Sequence, residues 1–498
     1  MKQKSVTIIG SGVAGLAAAI RLAVKGHGVH VYEKNSYPGG KLSLIEKDGF
    51  RFDAGPSLFT QPANIEELFA FAGESMAPYF SYTSVDTACT YFFEDGTTFK
   101  APSNAEKFAE EAAENFEADA SLIKKYLNQS ANVYQHIAEI FLSYSLHKRS
   151  TWFRKEIFGA LKHVKLYHLL QSFHQLNKKL LVHNKLVQIF NRYATYNGSN
   201  PYKAPAMLQV IPHLEYNEGV FYPKGGMISI TNALYQLALK HGVHFHFNTA
   251  VESIIHHDGM AYGIVVNHQN IFADMVISNC DAYFTYKNLL KDKDTAALLL
   301  KQERSSSALI FYWGIKKEFS QLGLHNILFA SNYEAEFASL FDQKKIYQDP
   351  TVYISITSKC ERGLHAPKGC ENWFVMINMP AGTAQINDEL ISQCKGNIIQ
   401  KINRLLHTDI EQFIFTEDVL DPALIELRTG SYGGSLYGTS SNSRWAAFLR
   451  HPNFSSHIKN LWFAGGSVHP GGGIPLCLRS AKIMCDHIEK EQQKKQHD

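Results

Sequence analysis

The sequence predicts a two-domain α/β protein. Three observations carry this prediction. A β-branched run meets a glycine-rich turn at residues 5–15, a second strand–glycine loop–helix pattern lies near the far end at 461–488, and a glycine turn, helix and strand block occupies 219–281 between them. At 498 residues the chain is also too long for one compact core.

Composition narrows the class without fixing it. Apolar residues make up 45% and charged residues 19%, ordinary for a globular protein. Aromatics reach 12%, with 32 Phe and 24 Tyr, a surplus that suits either plain core or a site for a long apolar ligand. The seven cysteines are odd in number, scattered and free of any C-x-x-C pair. That argues against a disulfide framework and a zinc site, and fits a reducing compartment. The opening MKQKSVTIIG has no signal-peptide pattern, and no stretch reaches the ~18 apolar residues that span a bilayer. The expectation is a cytoplasmic protein, or one that at most sits on a membrane.

Ser5 to Ile9 reads as a buried strand, followed by Gly10-Ser11-Gly12-Val13-Ala14-Gly15 and the helical stretch LAAAIRLAVKG. A second strand, VHVYE, ends at Glu33, with Lys34 next. Gly10 permits the tight turn, Gly12 lets a pyrophosphate approach the backbone, and Gly15 lets the helix pack on the strand. The helix N-terminus, at Val13 and Ala14, then presents free N–H groups and a positive dipole end. Glu33, roughly 20 residues on, is placed to accept from a ribose hydroxyl. Its charge disfavours NADP but does not separate NAD from FAD.

The next segment, KNSYPGGKLSLIEKDGFRFDAGPSLF, does not continue into another helix. A glycine pair, Gly39-Gly40, is followed by Lys41 and by a polar–apolar alternation through Asp53-Ala54-Gly55-Pro56-Ser57. Here the sequence resembles the large FAD-dependent family that includes amine oxidases, protoporphyrinogen oxidase and carotenoid desaturases. The resemblance implies FAD in a Rossmann-like FAD-binding domain, with Gly40 and Lys41 at the cofactor's phosphates and ribityl chain and Gly55, Pro56 and Ser57 also in the cofactor site. Lys41 stands where Arg is commoner, which keeps the charge but loses the bidentate fork.

The family's FAD domain is discontinuous, and the other two blocks fit its later parts. In GVFYPKGGMISITNALYQLALKHGVHFHFNTAV, Val251 matches a valine that contacts adenine, and FADMVISNCDA resembles a closing strand. In NLWFAGGSVHPGGGIPLCLRSAKIMCDHI, LWFAG reads as a strand, Gly465 and Gly466 as the loop, and Gly473-Ile474-Pro475 as the start of a helix. Proline is well tolerated in a first turn, and this N-terminus would face the N1/C2 edge of the isoalloxazine. Both glycine clusters then serve one FAD. HPGGGIP, with GGSLYGTSSNSRWAAFLRHPN before it, is most similar to bacterial carotenoid desaturases of the hydroxycarotenoid 3,4-desaturase branch.

The resemblance implies an FAD-binding domain from 1–75, 219–290 and 450–498, and a substrate domain of mixed sheet and helices from 76–218 and 291–449. It implies an oxidoreductase that introduces a C=C bond at the 3,4-position of a 1-hydroxylated acyclic or monocyclic carotenoid end by hydride transfer to flavin. Oxygen or a membrane quinone would reoxidise it. A phytoene- or neurosporene-type desaturase shares every cofactor residue, an amine oxidase fits the C-terminal block less well, and a carotenoid isomerase or non-redox carotenoid-binding flavoprotein is an alternative of another class. The sequence identifies no catalytic base, although His469 and Arg479 lie near the flavin loop. Nor does it place the polar group that a hydroxylated end needs.

From Phe141 to Arg192 ten Lys/Arg and five His stand against one acid, Glu156. Apolar residues recur at helical spacing, as at Ile157, Leu161 and Val164, then Leu166, Leu169, Leu170 and Phe173. This predicts basic amphipathic helices at 141–192 that form a lid or lie on a membrane surface. A solvated charged face over a helical core explains the same pattern. Neither nucleic acid nor a metal is expected, since the histidines lack ligand-like spacing. The polar end EKEQQKKQHD is expected to be disordered.

Overall fold

The computed structural model describes residues 3–163, 165, 167–382, 386–443 and 449–497. Ser5–Ile9 is the central strand of a five-stranded parallel sheet. It pairs with Gly28–Tyr32 on one side and with Met275–Ser278 on the other, and His244–His246 and Leu461–Phe463 form the two edges. Buried on both faces, these strands need continuous apolar runs rather than alternation, and SVTII and MVIS supply them. The helix Val13–Val24 packs against Ile228–Lys240 and Ile474–His497, and Leu16, Ile20, Leu234 and Met484 meet in one core. Burying each such side chain contributes about 1.5–3 kcal/mol.

The alternation after Gly40 forms the hairpin Leu44–Lys47 and Phe50–Asp53. Buried Asp53 ends it and accepts from the N–H groups of Met227 (2.9 Å) and Ile228 (3.2 Å), which fixes the start of the helix Ile228–Lys240. A second, seven-stranded sheet runs in the order Ile414–Leu420, Ser307–Ile315, Glu371–Met379, Val352–Ile356, His325–Leu328, Thr87–Phe92, Thr98–Pro102. Every pairing in it is antiparallel except that of His325–Leu328 with Thr87–Phe92. Helices between Ala105 and Tyr216 lie beside this sheet. The fold is thus the mixed α/β arrangement read from the sequence.

Two expectations need correction. The basic stretch 141–192 is helical in its described part, as expected, but in short pieces that include Arg149–Trp152, Lys155–Leu161, Tyr167–Leu170, Phe173–Leu181 and Asn184–Asn191, and the expectation of one exposed face is what changes. Ser172 begins a new helix with a capping box to Gln175, and Val182 ends that helix at φ 61°. The stretch also divides in character. Phe173, Leu181, Leu186, Phe190 and even Arg192 are buried, whereas Trp152, Phe153 (79% exposed), Phe158 and Leu170 face outward. His168 is buried as well. Val164 and Leu166 lie outside the described residues.

The C-terminal tail is likewise not disordered, since the last helix continues to His497. Its side chains find partners that sequence alone does not reveal, Glu489 with Lys25 and Glu491 with Lys148. Among the described residues no helix is long and apolar enough to cross a membrane.

Candidate functional site

A cavity of about 650 Å³ begins where the strands Ser5–Ile9, Gly28–Tyr32, Met275–Ser278 and Leu461–Phe463 end. This is the crevice at the carboxyl ends of a parallel sheet, where ligands bind in such folds. Gly10, Gly12, Val13 and Ala14 line it, and Gly12 is the N-cap of a helix with no side chain capping its first turn. The first-turn amides therefore lack partners within the helix. Gly473, Ile474 and Pro475 bring the N-terminus of a second helix to the same space.

Of the residues singled out in the sequence, Glu33, Lys34, Gly40, Lys41, Gly55, Pro56, Ser57, Val251, Gly465 and Gly466 also line this cavity. Gly15 does not, and it acts behind the wall. A Cβ built there would lie 2.3 Å from the Gly10 carbonyl oxygen and 2.8 Å from Asn279 Oδ1, so only glycine lets the helix sit this close to the strand ends.

Glu33 is buried and already well satisfied. Its Oε2 accepts from Ser11 N–H and Oγ, both at 2.9 Å, and its Oε1 from Asn35 N–H (3.0 Å) and Nδ2 (2.9 Å). Lys41 donates from Nζ to the carbonyls of Ser435 (3.0 Å) and Leu436 (2.8 Å), and burial lowers its ammonium to about 8. Arg450, which sequence reasoning missed, lines the same cavity and donates to Tyr437 O at 2.7 Å; burial, then the nearby Arg304 charge, lowers it to about 10. Two buried cations held by neutral carbonyls, beside two helix N-termini, suit a bound group that carries negative charge.

Asn279 was also missed. Its Nδ2 donates to Ala464 O at 2.7 Å, tying the middle strand's end to the last one between the two glycine clusters. The only signal for it was its place in ISNCDA, just past a strand. His469 is buried, lines the cavity and lies with Nε2 2.9 Å from Tyr144 O; burial lowers its ring to about 4. Arg479 lies away from the cavity lining, half-buried with Nε 3.1 Å from Asn64 Oδ1.

Beyond the glycine loops the cavity runs between the seven-stranded sheet and the helices. Ile137, Phe141, Met207, Ile211, Phe374 and Met376 give it an apolar wall there, and Arg192, Glu215, His325 and Tyr353 a polar one. Sequence reasoning identified none of these four polar residues as part of a site.

The profile of the family described as flavin containing amine oxidoreductase matches residues 13–301. A 1-hydroxycarotenoid 3,4-desaturase of Flavobacterium sp. (strain P99-3) is 51% identical, the match covering 97% of this chain and 99% of that protein. A 4,4'-diapolycopene oxygenase of Methylomonas sp. is 32% identical, over 97% of each chain. Among solved structures, an oxidoreductase from Methanosarcina mazei shares the fold with a TM-score of 0.63 at 14% identity, covering 98% of this chain and 100% of that one.

Proposed function

Because the chain belongs to the flavin-containing amine oxidoreductase family and is an FAD-dependent oxidoreductase, we propose that it desaturates a carotenoid, forming the 3,4 double bond of a 1-hydroxylated acyclic or monocyclic end. One observation carries this reading: a single cavity of about 650 Å³ joins two helix N-termini to an apolar wall. The identity to a 1-hydroxycarotenoid 3,4-desaturase supports the substrate class.

In this reading Gly10, Gly12, Val13 and Ala14 hold the pyrophosphate at the first helix N-terminus, and Gly15 keeps that helix in place. Glu33 receives a ribose hydroxyl, which takes the place of the Ser11 hydroxyl or the Asn35 amide, with Lys34 beside it. Val251 meets the adenine. Gly40 and Lys41 serve the phosphates and ribityl chain, and Gly55, Pro56, Ser57, Gly465 and Gly466 shape the rest of the cofactor space. Gly473, Ile474 and Pro475 direct their helix N-terminus at the N1/C2 edge.

Bound FAD supplies the hydride acceptor, while the second hydrogen of the substrate leaves as a proton and a C=C bond forms. Charge delocalised along the polyene makes that proton acidic, so the protein's part is to position the chain and exclude water rather than to supply a strong base. No residue is assigned as catalytic. Oxygen or a membrane quinone takes the electrons.

Exposed Trp152, Phe153, Phe158 and Leu170 lie among Arg154, Lys155 and Lys162, and the adjoining residues Phe141, Leu142 and Leu146 line the cavity. Apolar rings flanked by cations suit an anionic bilayer surface, from which a carotenoid enters. The protein would then sit peripherally on the cytoplasmic side.

The test is anaerobic incubation of the FAD-loaded protein in liposomes with a 1-hydroxycarotenoid and, separately, with phytoene. Flavin bleaching and a red-shifted polyene spectrum with the hydroxylated substrate alone are expected. Bleaching with phytoene moves the enzyme to an earlier desaturation. No bleaching with either sinks the desaturase reading and leaves an isomerase or carotenoid carrier.

A further inference from the structure

One polar section of the cavity wall is built around Arg192, Glu215, His325 and Tyr353. Arg192 donates from Nη2 to Glu215 Oε2 (3.0 Å) and to Tyr91 OH (2.7 Å), and the hydroxyls of Tyr193 and Tyr196 also donate to Glu215. The Glu215 carboxylate and Arg192 Nη2 are taken up by these partners, while Arg192 Nε has none. Beside it, His325 ends in a different state. Its Nδ1 lies 2.7 Å from Tyr353 OH, which in turn lies 2.8 Å from Ser57 Oγ. His325 is only 3% exposed and lines the cavity, yet its Nε2 has no hydrogen-bond partner.

A buried polar atom in native protein is nearly always paired, and an unpaired one on a residue that lines a cavity is a candidate to meet a ligand group once the side chain turns toward it. Burial, then the Arg192 charge, pushes the His325 ring down to about 3, so it is neutral at working pH. A neutral imidazole has one donor and one acceptor nitrogen. Whichever role the Tyr353 bond takes, Nε2 is left with the other, and a hydroxyl answers both because it donates and accepts.

The location agrees with the chemistry. In a 1-hydroxylated chain a single carbon separates C1 from C3, so the residue that reads the hydroxyl must stand beside the reacting bond. Ser57 anchors the far end of the His325–Tyr353–Ser57 chain, and it belongs to the Gly55-Pro56-Ser57 loop of the proposed flavin site. We propose that His325 is the specificity-determining residue that binds the substrate's terminal hydroxyl, with Tyr353 and Ser57 as positioning residues; this rests on the desaturase reading above.

The experiment compares kcat/KM for a 1-hydroxylated acyclic carotenoid and for the same chain lacking the hydroxyl, in wild type, His325→Phe, His325→Gln and Tyr353→Phe, each loaded with FAD. Wild type is expected to prefer the hydroxylated chain. In His325→Phe that preference is expected to fall by roughly tenfold or more, because the hydroxyl loses its only designed partner. His325→Gln, whose amide nitrogen reaches close to the Nε2 position, restores part of it, and Tyr353→Phe gives an intermediate loss. Should His325→Phe lose its flavin, Tyr353→Phe and His325→Gln decide the matter between them. Equal losses on both substrates, or a wild type without preference, overturn the assignment of His325 while leaving the desaturase standing. A wild type that turns over neither chain removes the desaturase reading and this inference with it.

Discussion

At Gly15 an added methyl group has nowhere to go, because the nearest atoms are a backbone carbonyl and the half-buried Asn279 side chain, which is held by Ala464 O. Gly15→Ala is therefore expected to cost about 1–3 kcal/mol as overpacking and to empty the cofactor site. Thermal denaturation and flavin absorbance of the purified variant check both. Asp53 makes a second residue-scale prediction. Burial raises its carboxyl to about 6, against the lowering influence of the Met227 and Ile228 N–H groups. The folded chain then holds this proton more tightly than the unfolded chain between about pH 4 and 6. Its contribution to stability grows as pH falls through 6 and is lost as pH rises through it. Asp53→Asn, which cannot ionise, should thus cost more stability at pH 4.5 than at pH 7, and parallel melts of both proteins across that range test the sign. Arg192 shows where reading residues singly fails. It counted as one more surface cation in a basic run, but Glu215 and Tyr91, far from it in sequence, enclose it. His325 was invisible for a related reason: one histidine in a strand has no spacing to read, and its meaning comes from Tyr353 and the cavity it helps to line.

Among the elements, the strand–turn–helix units were legible because each is set by neighbours in sequence, and Ser5–Ile9, Val13–Val24 and Ile474–His497 begin where the glycines and proline said they would. The basic stretch was legible as helical, while its breaks at Ser172 and Val182 and the burial of its second half were not. If the exposed part binds a bilayer, the double substitution Lys155→Glu with Lys162→Glu should weaken binding to vesicles containing anionic lipid by at least tenfold, at about 1 kcal/mol for each cation removed and more for reversal. High salt should shrink the difference; sedimentation showing equal binding at low salt would refute the membrane face. The last helix was misread past residue 489 because a Glu/Lys/Gln run looks the same whether solvated alone or laid over Lys25 and Lys148. Such partly exposed pairs contribute at most about 1 kcal/mol each. Deleting residues 490–498 should consequently lower the helical circular dichroism while moving Tm by no more than a few degrees.

For the molecule as a whole, each glycine block of the five-stranded sheet carries local meaning, and that three distant blocks meet was implied by the family resemblance rather than by the blocks themselves. The seven-stranded sheet could not be laid out strand by strand. Its order joins Thr87–Phe92 to His325–Leu328 and surrounds Ser307–Ile315 on both sides, pairings decided by packing between regions with no recognisable pattern of their own. The same long reach governs how the protein comes into being. The strand Leu461–Phe463 and the helix after it emerge from the ribosome after every other strand of their sheet, at ~5–20 residues per second, and until then Asn279 has no Ala464 to hold and the cavity lacks one wall. A nascent chain carries its nucleotide turn for most of its synthesis without a place to keep the nucleotide. Loading must wait for that strand, and during the interval the apolar wall of the cavity stands open to other chains. A protein ending at residue 450 is accordingly expected to aggregate and to elute without flavin, and stoichiometric yellow colour in that truncation would show that the cleft closes earlier than its topology suggests.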